Sequence, residues 1–366
     1  MQTEAKPKIF NLDLLRLFAS CAIVMFHLFG GHLHISGVPL YEMLYNASRQ
    51  GRLATDLFFI LSGFFLVYTF KPSVNLRTFI KKRVLRFWPV LIFIICCHFI
   101  LSLFGLFNFD LYRHFITFTG IIATGYVGAK VSIGRFWYVS ALLLVSIALY
   151  YLMLRVTKRK RDEIVGALVI FAYTILVTMP INFDGIVWAQ MWHGIISVGM
   201  LRAIGGVGLG YLIARWYEQY CAKEHLPDTK TRKMAFTVIE SIALLLSIGS
   251  VLCHLFGYQY NILVIGIFVI TIGLLLAKRG WLSQKLNTID ISFLSRYTYS
   301  MFMSHPLVFV ILRQLIWKPN RQILYNEPVG NLILTITMVV LMTLITYHCV
   351  ELPAKRWAAR INRKQD

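Results

Sequence analysis

What most constrains this chain is a succession of apolar stretches, each roughly 17 to 25 residues long, that recurs from one end to the other. A segment of that length crosses a bilayer as a helix, because lipid offers no partner to an unpaired backbone N–H or C=O. Ten can be placed, at about 10–30, 54–70, 88–107, 136–154, 164–180, 194–214, 235–256, 261–277, 291–312 and 330–350. Composition agrees: 58% of the 366 residues are hydrophobic, 14% are charged and the mean hydropathy is +0.66, far from the balance of a soluble domain. The fold expected is all-α, a polytopic membrane helical bundle of about ten transmembrane helices.

A net charge of +21 would point to nucleic acid in a soluble chain. Here the basic residues gather between the apolar runs, as in membrane proteins whose cytoplasmic connections are rich in Lys and Arg. Of the 37, 26 fall before the first span, at 71–87, 155–161, 215–233 and 278–290, and after the last span; 8 fall in the alternate connections. Arg16, Arg202 and Arg296 fall within spans. That bias places the N-terminus and C-terminus in the cytoplasm and removes the need for a nucleic-acid partner. The six cysteines have no CxxC spacing, so neither a disulfide framework nor a zinc site is indicated. The opening MQTEAKPKIFNLDLLR reads as the approach to a retained first span, not a cleaved leader. The connection 108–135 is long enough for a surface or re-entrant helix, with irregular backbone over GYVGAKVSIG. No separate soluble domain is visible, and 1–366 is expected to form a single membrane domain.

An ionisable side chain in a span needs a partner or a water-filled cavity. In DLLRLFASCAIVMFH, Arg16 and His27 are eleven residues apart, which brings them to within ~20° of one helix face and separates them by ~16.5 Å along the axis. With the first span running outward, Arg16 lies toward the cytoplasm and His27 near the outer end. Asp56, at the outer start of the second span, shares the depth of His27. A carboxylate there either orients the imidazole for proton transfer or pins two helices together. Arg83 and Arg86, three apart before Trp88 and Pro89, present two guanidinium groups at the cytoplasmic surface. They suit phosphate oxygens of a ligand, or lipid head groups. His305 precedes Pro306 in the ninth span, where a missing backbone donor is expected to open a turn onto a cavity; the residue is either catalytic or a satisfied structural histidine. Arg202 lies among glycines that permit close helix approach and serves either a ligand or a carboxylate. Glu351 is expected to form a structural ion pair with Arg83, Arg86 or Arg16. His32 and His34 have no further ligands at fixed spacing, so no metal is expected. Trp188, Trp192, Trp317 and Tyr325 read as a membrane-interface belt, with sugar stacking as the alternative.

Taken in order, these stretches resemble the acyltransferase 3 family of bacterial membrane O-acyltransferases of surface polysaccharides. The resemblance rests on Arg16 with His27, on TDLFFILSGFFL with Asp56, Ser62 and Gly63, and on Arg83 and Arg86 with Pro89. It continues through FWYVSALL at 136–143, SRYTYSMFMSHP ending in His305 and Pro306, and ELP at 351–353. FWYVSALL lacks the glutamate that many members carry soon after the tryptophan. The resemblance implies a multi-pass protein of the bacterial inner membrane that moves an acyl group, most often acetyl, from cytoplasmic acyl-CoA to a hydroxyl of a cell-surface or lipid-linked saccharide. Acetyl-CoA is then a co-substrate, with Arg83, Arg86 and Arg16 as its binding residues. His27 would be general base, oriented by Asp56, while Arg16 stabilises charge developing on the donor. A variant has His27 transiently acylated. Ten spans with intramembrane charges and a proline-interrupted helix also suit a transporter or flippase of a lipid-linked sugar.

Overall fold

A computed structural model describes residues 7–31, 33, 37–124, 136–179, 190–221, 223, 229–253, 255–256 and 261–363. His32, His34, Trp188 and the GYVGAKVSIG stretch lie outside the described residues. The chain is a polytopic all-α bundle: α1 (Phe10–Gly31), α2 (Pro39–Asn46), α3 (Ala54–Tyr68), α4 (Leu76–Leu103), α5 (Leu111–Thr119), α6 (Phe136–Arg155), α7 (Lys158–Thr178), α8 (Val198–Cys221), α9 (Lys230–Leu252), α10 (Asn261–Ala277), α11 (Trp281–Leu286), α12 (Ser292–Ser295), α13 (Thr298–Leu312), α14 (Ile323–Asn326), α15 (Pro328–Ile345) and α16 (Leu352–Arg363). The described strands are a two-residue hairpin, Met191–Trp192 against Ile196–Ser197.

Each expected span has a helix. Among the described residues, eight helical stretches are long and apolar enough to cross a membrane, and α10, at 17 residues, is a shorter apolar helix. The α7 helix is not among the eight, because its first turns are KRKRDE. Several helices outrun their apolar cores. The α4 helix begins twelve residues before its expected start, with Asn75 accepting a cap bond from the Thr78 N–H at 2.8 Å, so Arg83 and Arg86 stand on the same helix as the span. In contrast, the ninth span is shorter than expected. Residues 292–295 form the separate short helix α12, and α13 begins only at Thr298; Arg296 therefore sits in the break before the span.

The core is organised around α3, of whose 15 residues 11 are buried. It lies against α8 at a distance that only glycine permits. A Cβ on Gly63 would meet the Val207 carbonyl oxygen at 2.1 Å, and one on Gly210 the Ile60 oxygen at 2.0 Å. Without a hydrophobic drive between helices in lipid, close backbone approach of this kind is a main source of association. The other side of α8 receives α7, with Gly208 beneath Val169 and Gly205 beneath Tyr173.

The surface or re-entrant helix expected within 108–135 is present as α5. Asp110 caps it by accepting from the Arg113 N–H, and Gly120, at φ +75°, ends it in the left-handed region. Its end docks on α4, where the Trp88 indole donates to the Phe118 carbonyl at 3.1 Å. Trp317 corrects a sequence expectation. It is 5% exposed and donates to Asn331 Oδ1 at 2.7 Å, while Asn331 donates to the Tyr41 hydroxyl at 2.9 Å. Its indole belongs to a buried joint, not to a belt or an open sugar platform.

Candidate active site

Between α1, α3, α4, α6 and α13 lies a cavity of about 400 Å³, within the usual size range of small-molecule sites. Five of its lining residues are cationic: Arg16, Arg83, Arg86, Arg296 and Lys355. They come from four separate places in the chain. Arg16 is in the first half of α1, Arg83 and Arg86 in the third turn of α4, Arg296 in the break before α13, and Lys355 on α16. All five lie on the side that carries the basic connections.

Their neighbours explain how they stay available. The Arg16 guanidinium lies 3.9 Å from the Phe65 ring centre and contacts Asp13 at 3.3 Å, one turn earlier on the same helix. Arg83 packs over Phe79 at 5.1 Å and Arg86 over Phe87 at 5.7 Å. Arg296 lies over Tyr297 at 4.9 Å and donates to its hydroxyl at 3.2 Å. Rings attract a cation through their quadrupole without neutralising it, so Arg83, Arg86 and Arg296 keep most of their hydrogen-bonding capacity, whereas Arg16 is also paired with Asp13. Among the described residues that line the cavity, Glu351 is the one carboxylate, and it is already engaged. Lys355 Nζ reaches Glu351 Oε1 at 2.5 Å, and the Ser300 hydroxyl donates to Oε2 at 2.5 Å. The ion pair expected there is present, but its partner is Lys355, one helical turn later, and not Arg83, Arg86 or Arg16.

The inner end of the cavity is aromatic. Phe58, Tyr138 and Phe302 line it, with ring centres 6.2 Å apart for Phe58 and Tyr138 and 5.3 Å apart for Tyr138 and Phe302. Beyond Phe302 stands His305, 6.2 Å away centre to centre. His305 in turn stacks on His27 at 5.4 Å with planes only 6° from parallel. Three residues after Phe302, His305 is about 4.5 Å farther along the α13 axis. The α1 helix runs unbroken through both Arg16 and His27, so the eleven-residue interval does span ~16.5 Å, from the cationic cavity to the histidine pair.

His305 is 0% exposed, and its Nδ1 lies 3.0 Å from the Met301 carbonyl oxygen. A carbonyl can only accept, so Nδ1 carries the proton and Nε2 is the nitrogen left with a lone pair in the neutral ring. The opened turn expected at Pro306 does not occur: α13 continues through it from Thr298 to Leu312. The missing donor is absorbed within the helix, and the irregular backbone falls at the two ends, before Thr298 and in the π-helical turn Arg313–Trp317.

Asp56 has a different partner from the one expected. Arg202 donates from Nη2 to Oδ2 at 2.7 Å and from Nε to Oδ1 at 3.0 Å, and its Nη2 also meets the Arg52 carbonyl at 3.1 Å. Aspartate and arginine are 2% and 5% exposed. Both carboxylate oxygens are thus consumed by a bidentate pair that ties α3 to α8, and the ring next to His27 is His305. Of the two readings open for Arg202, ligand or carboxylate, the carboxylate holds.

The sequence-predicted residues Arg16, Arg83 and Arg86 meet in one cavity, and His27 and His305 meet in one stack. Sequence reasoning passes over Arg296 and Lys355 as binding residues. The signals they offer are a lone arginine next to an aromatic pair and a lysine four residues after Glu351. Tyr138 and Phe302 fall within the FWYVSALL and SRYTYSMFMSHP stretches that carry the resemblance, but as aromatic residues in apolar helices nothing in their spacing marks them as cavity lining.

With this geometry in view, comparison with known proteins is informative. A family profile described as an acyltransferase domain matches residues 9–347. Nodulation protein 10 of Rhizobium leguminosarum bv. viciae is 33% identical over 85 residues, which cover 22% of this chain and 22% of that protein. No solved structure matches the chain.

Proposed function

The chain belongs to this family of membrane acyltransferases, and from that premise we propose that it transfers an acyl group, acetyl in the simplest case, from acyl-CoA to a hydroxyl of a cell-surface or lipid-linked saccharide. The observation that carries the reading is the cavity with five cationic side chains on the basic side of the bundle, ending one ring short of the His305–His27 stack. A coenzyme A donor combines several phosphates with a long thin thioester arm, and this cavity offers guanidinium groups at its mouth and a narrow aromatic end inside. The charge bias of the connections supports a cytoplasmic mouth, with the protein spanning the bacterial inner membrane.

In this reaction Arg83, Arg86 and Arg296 hold the donor phosphates through charge-assisted hydrogen bonds, with Lys355 adding positive charge beside Glu351. Arg16, deeper in the cavity and ~16.5 Å from His27 along α1, stabilises the negatively charged donor and not the reacting carbonyl. His27 takes the proton of the acceptor hydroxyl as that oxygen attacks the carbonyl carbon. The new C–O bond forms, the C–S bond breaks, and the departing thiolate acquires the proton, so the products are an ester and free coenzyme A. His305 packs flat on His27 and fixes its ring plane. Asp56 acts through the fold, by holding α3 against α8.

The test is acyl transfer by purified protein in lipid nanodiscs, with membrane extract of the source cells as acceptor and radiolabelled acetyl-CoA as donor. His27→Ala should abolish transfer while leaving the melting temperature and the affinity for coenzyme A unchanged. Wild-type turnover in that variant would remove His27 from the chemistry, and absence of coenzyme A binding to the wild type would remove the donor reading.

A further inference from the structure

We infer that the aromatic end of the cavity is an acyl subsite for short acyl groups, and that Phe302 is the residue that sets the length. This rests on the donor reading above and adds a specificity that the family assignment does not contain.

Away from the arginines the cavity is bounded by the rings of Phe58, Tyr138 and Phe302, with the Ser62 side chain also in its lining. These rings come from α3, α6 and α13, and the distances of 6.2 Å and 5.3 Å between neighbouring centres leave no channel for an alkyl chain between them. Phe302 is 6% exposed and is the ring that separates the cavity from His305. The acyl group of a donor whose phosphates are anchored at Arg83 and Arg86 points toward that wall. Each methylene beyond the space available must push into packed rings, and a pocket of this kind discriminates by about tenfold or more for each methylene in excess.

Phe302 also has the geometry of a removable wall. It lies one turn into α13, on the same helix as His305, and no hydrogen bond depends on its side chain. Shortening it extends the subsite toward the histidine pair without touching the cationic end. The result is a separation between two properties that a general disturbance would move together: affinity for coenzyme A, set at the mouth, and tolerance of acyl length, set at Phe302.

The experiment is equilibrium binding to the full-length protein in nanodiscs, followed by intrinsic tryptophan fluorescence, with coenzyme A, acetyl-CoA and hexanoyl-CoA as probes. It needs no acceptor. For the wild type, hexanoyl-CoA should bind at least about tenfold more weakly than acetyl-CoA. Phe302→Ala should recover hexanoyl-CoA to within about threefold of acetyl-CoA and leave coenzyme A unchanged. Phe302→Leu, which keeps an apolar side chain at the position, should fall between the two and provides the test if the alanine variant does not fold. A wild type indifferent to chain length, or a Phe302 variant that binds coenzyme A normally with the wild-type length profile, overturns the subsite and leaves the donor reading standing. A wild type that binds none of the three probes overturns both.

Discussion

Two groups of arginines in one bundle have opposite fates. Arg202 is buried, bidentate to Asp56 and further bonded to the Arg52 carbonyl. Arg83, Arg86 and Arg296 line a cavity and have rings beside them. Both kinds break the apolar pattern of a membrane helix, and both invite a functional interpretation on that ground. What separates them is the partner. A buried carboxylate that takes up two N–H groups neutralises the guanidinium and fixes it in the core, whereas an aromatic face holds a guanidinium in place and leaves its donors to a ligand. Charge in a span is therefore evidence of function only once its counter-group is known.

The largest effect that can break this comparison is at the structural pair. Arg202→Ala should strand the Asp56 carboxylate in the core and cost about 3 to 5 kcal/mol, read as a large fall in melting temperature of the detergent-solubilised protein. Asp56→Ala combined with Arg202→Leu should recover much of that loss, because no charge is left unpaired. If Asp56→Ala instead leaves the melting curve intact and removes only transfer, the pair is chemical and the contrast fails.

A smaller loss, about 1 to 3 kcal/mol, is expected from overpacking at the same interface. Gly210→Ala sets a Cβ against the Ile60 oxygen, whereas Gly166→Ala in α7 meets nothing within 4 Å and should be neutral. Equal melting temperatures for the two variants would show that α3 and α8 are not held by close approach.

At the cavity the sign of the result reverses. Arg83→Ala with Arg86→Ala should weaken coenzyme A binding by about 10- to 100-fold, a loss of one or two charge-assisted bonds, with the melting temperature unchanged. An unaltered donor affinity would return the pair to lipid anchoring. The smallest effect is expected for Arg296→Gln, a several-fold loss of affinity, because Arg296 lies at the mouth, where solvent and salt screen it. Raising ionic strength should reproduce that loss in the wild type and diminish the difference between the two proteins.

Much of the bundle is legible in the order of its amino acids. The span positions follow from the length of each apolar run, and α1 carries Arg16 and His27 at the separation its 1.5 Å rise dictates. The mismatches share a cause. Depth alone pairs Asp56 with His27, since both belong to consecutive helices, yet the partner of Asp56 is Arg202, 146 residues away. Depth likewise pairs Glu351 with distant arginines, and it binds Lys355 four residues on. Pro306 lacks the donor that would keep a turn closed, and α13 absorbs the loss without opening. Depth constrains which side chains are able to meet, and rotation and packing of the helices decide which ones do.

The sequence by itself therefore determined the class of protein, the positions of its helices and the axial spacing of charge along each one, because backbone satisfaction in lipid and helical rise are local properties. Only the tertiary structure decided that Arg296 and Lys355 join Arg16, Arg83 and Arg86, that His305 lies flat on His27, and that Phe302 stands between them and the cavity. Those meetings depend on how α1, α4, α13 and α16 pack and rotate against one another, which no periodicity along a single helix encodes.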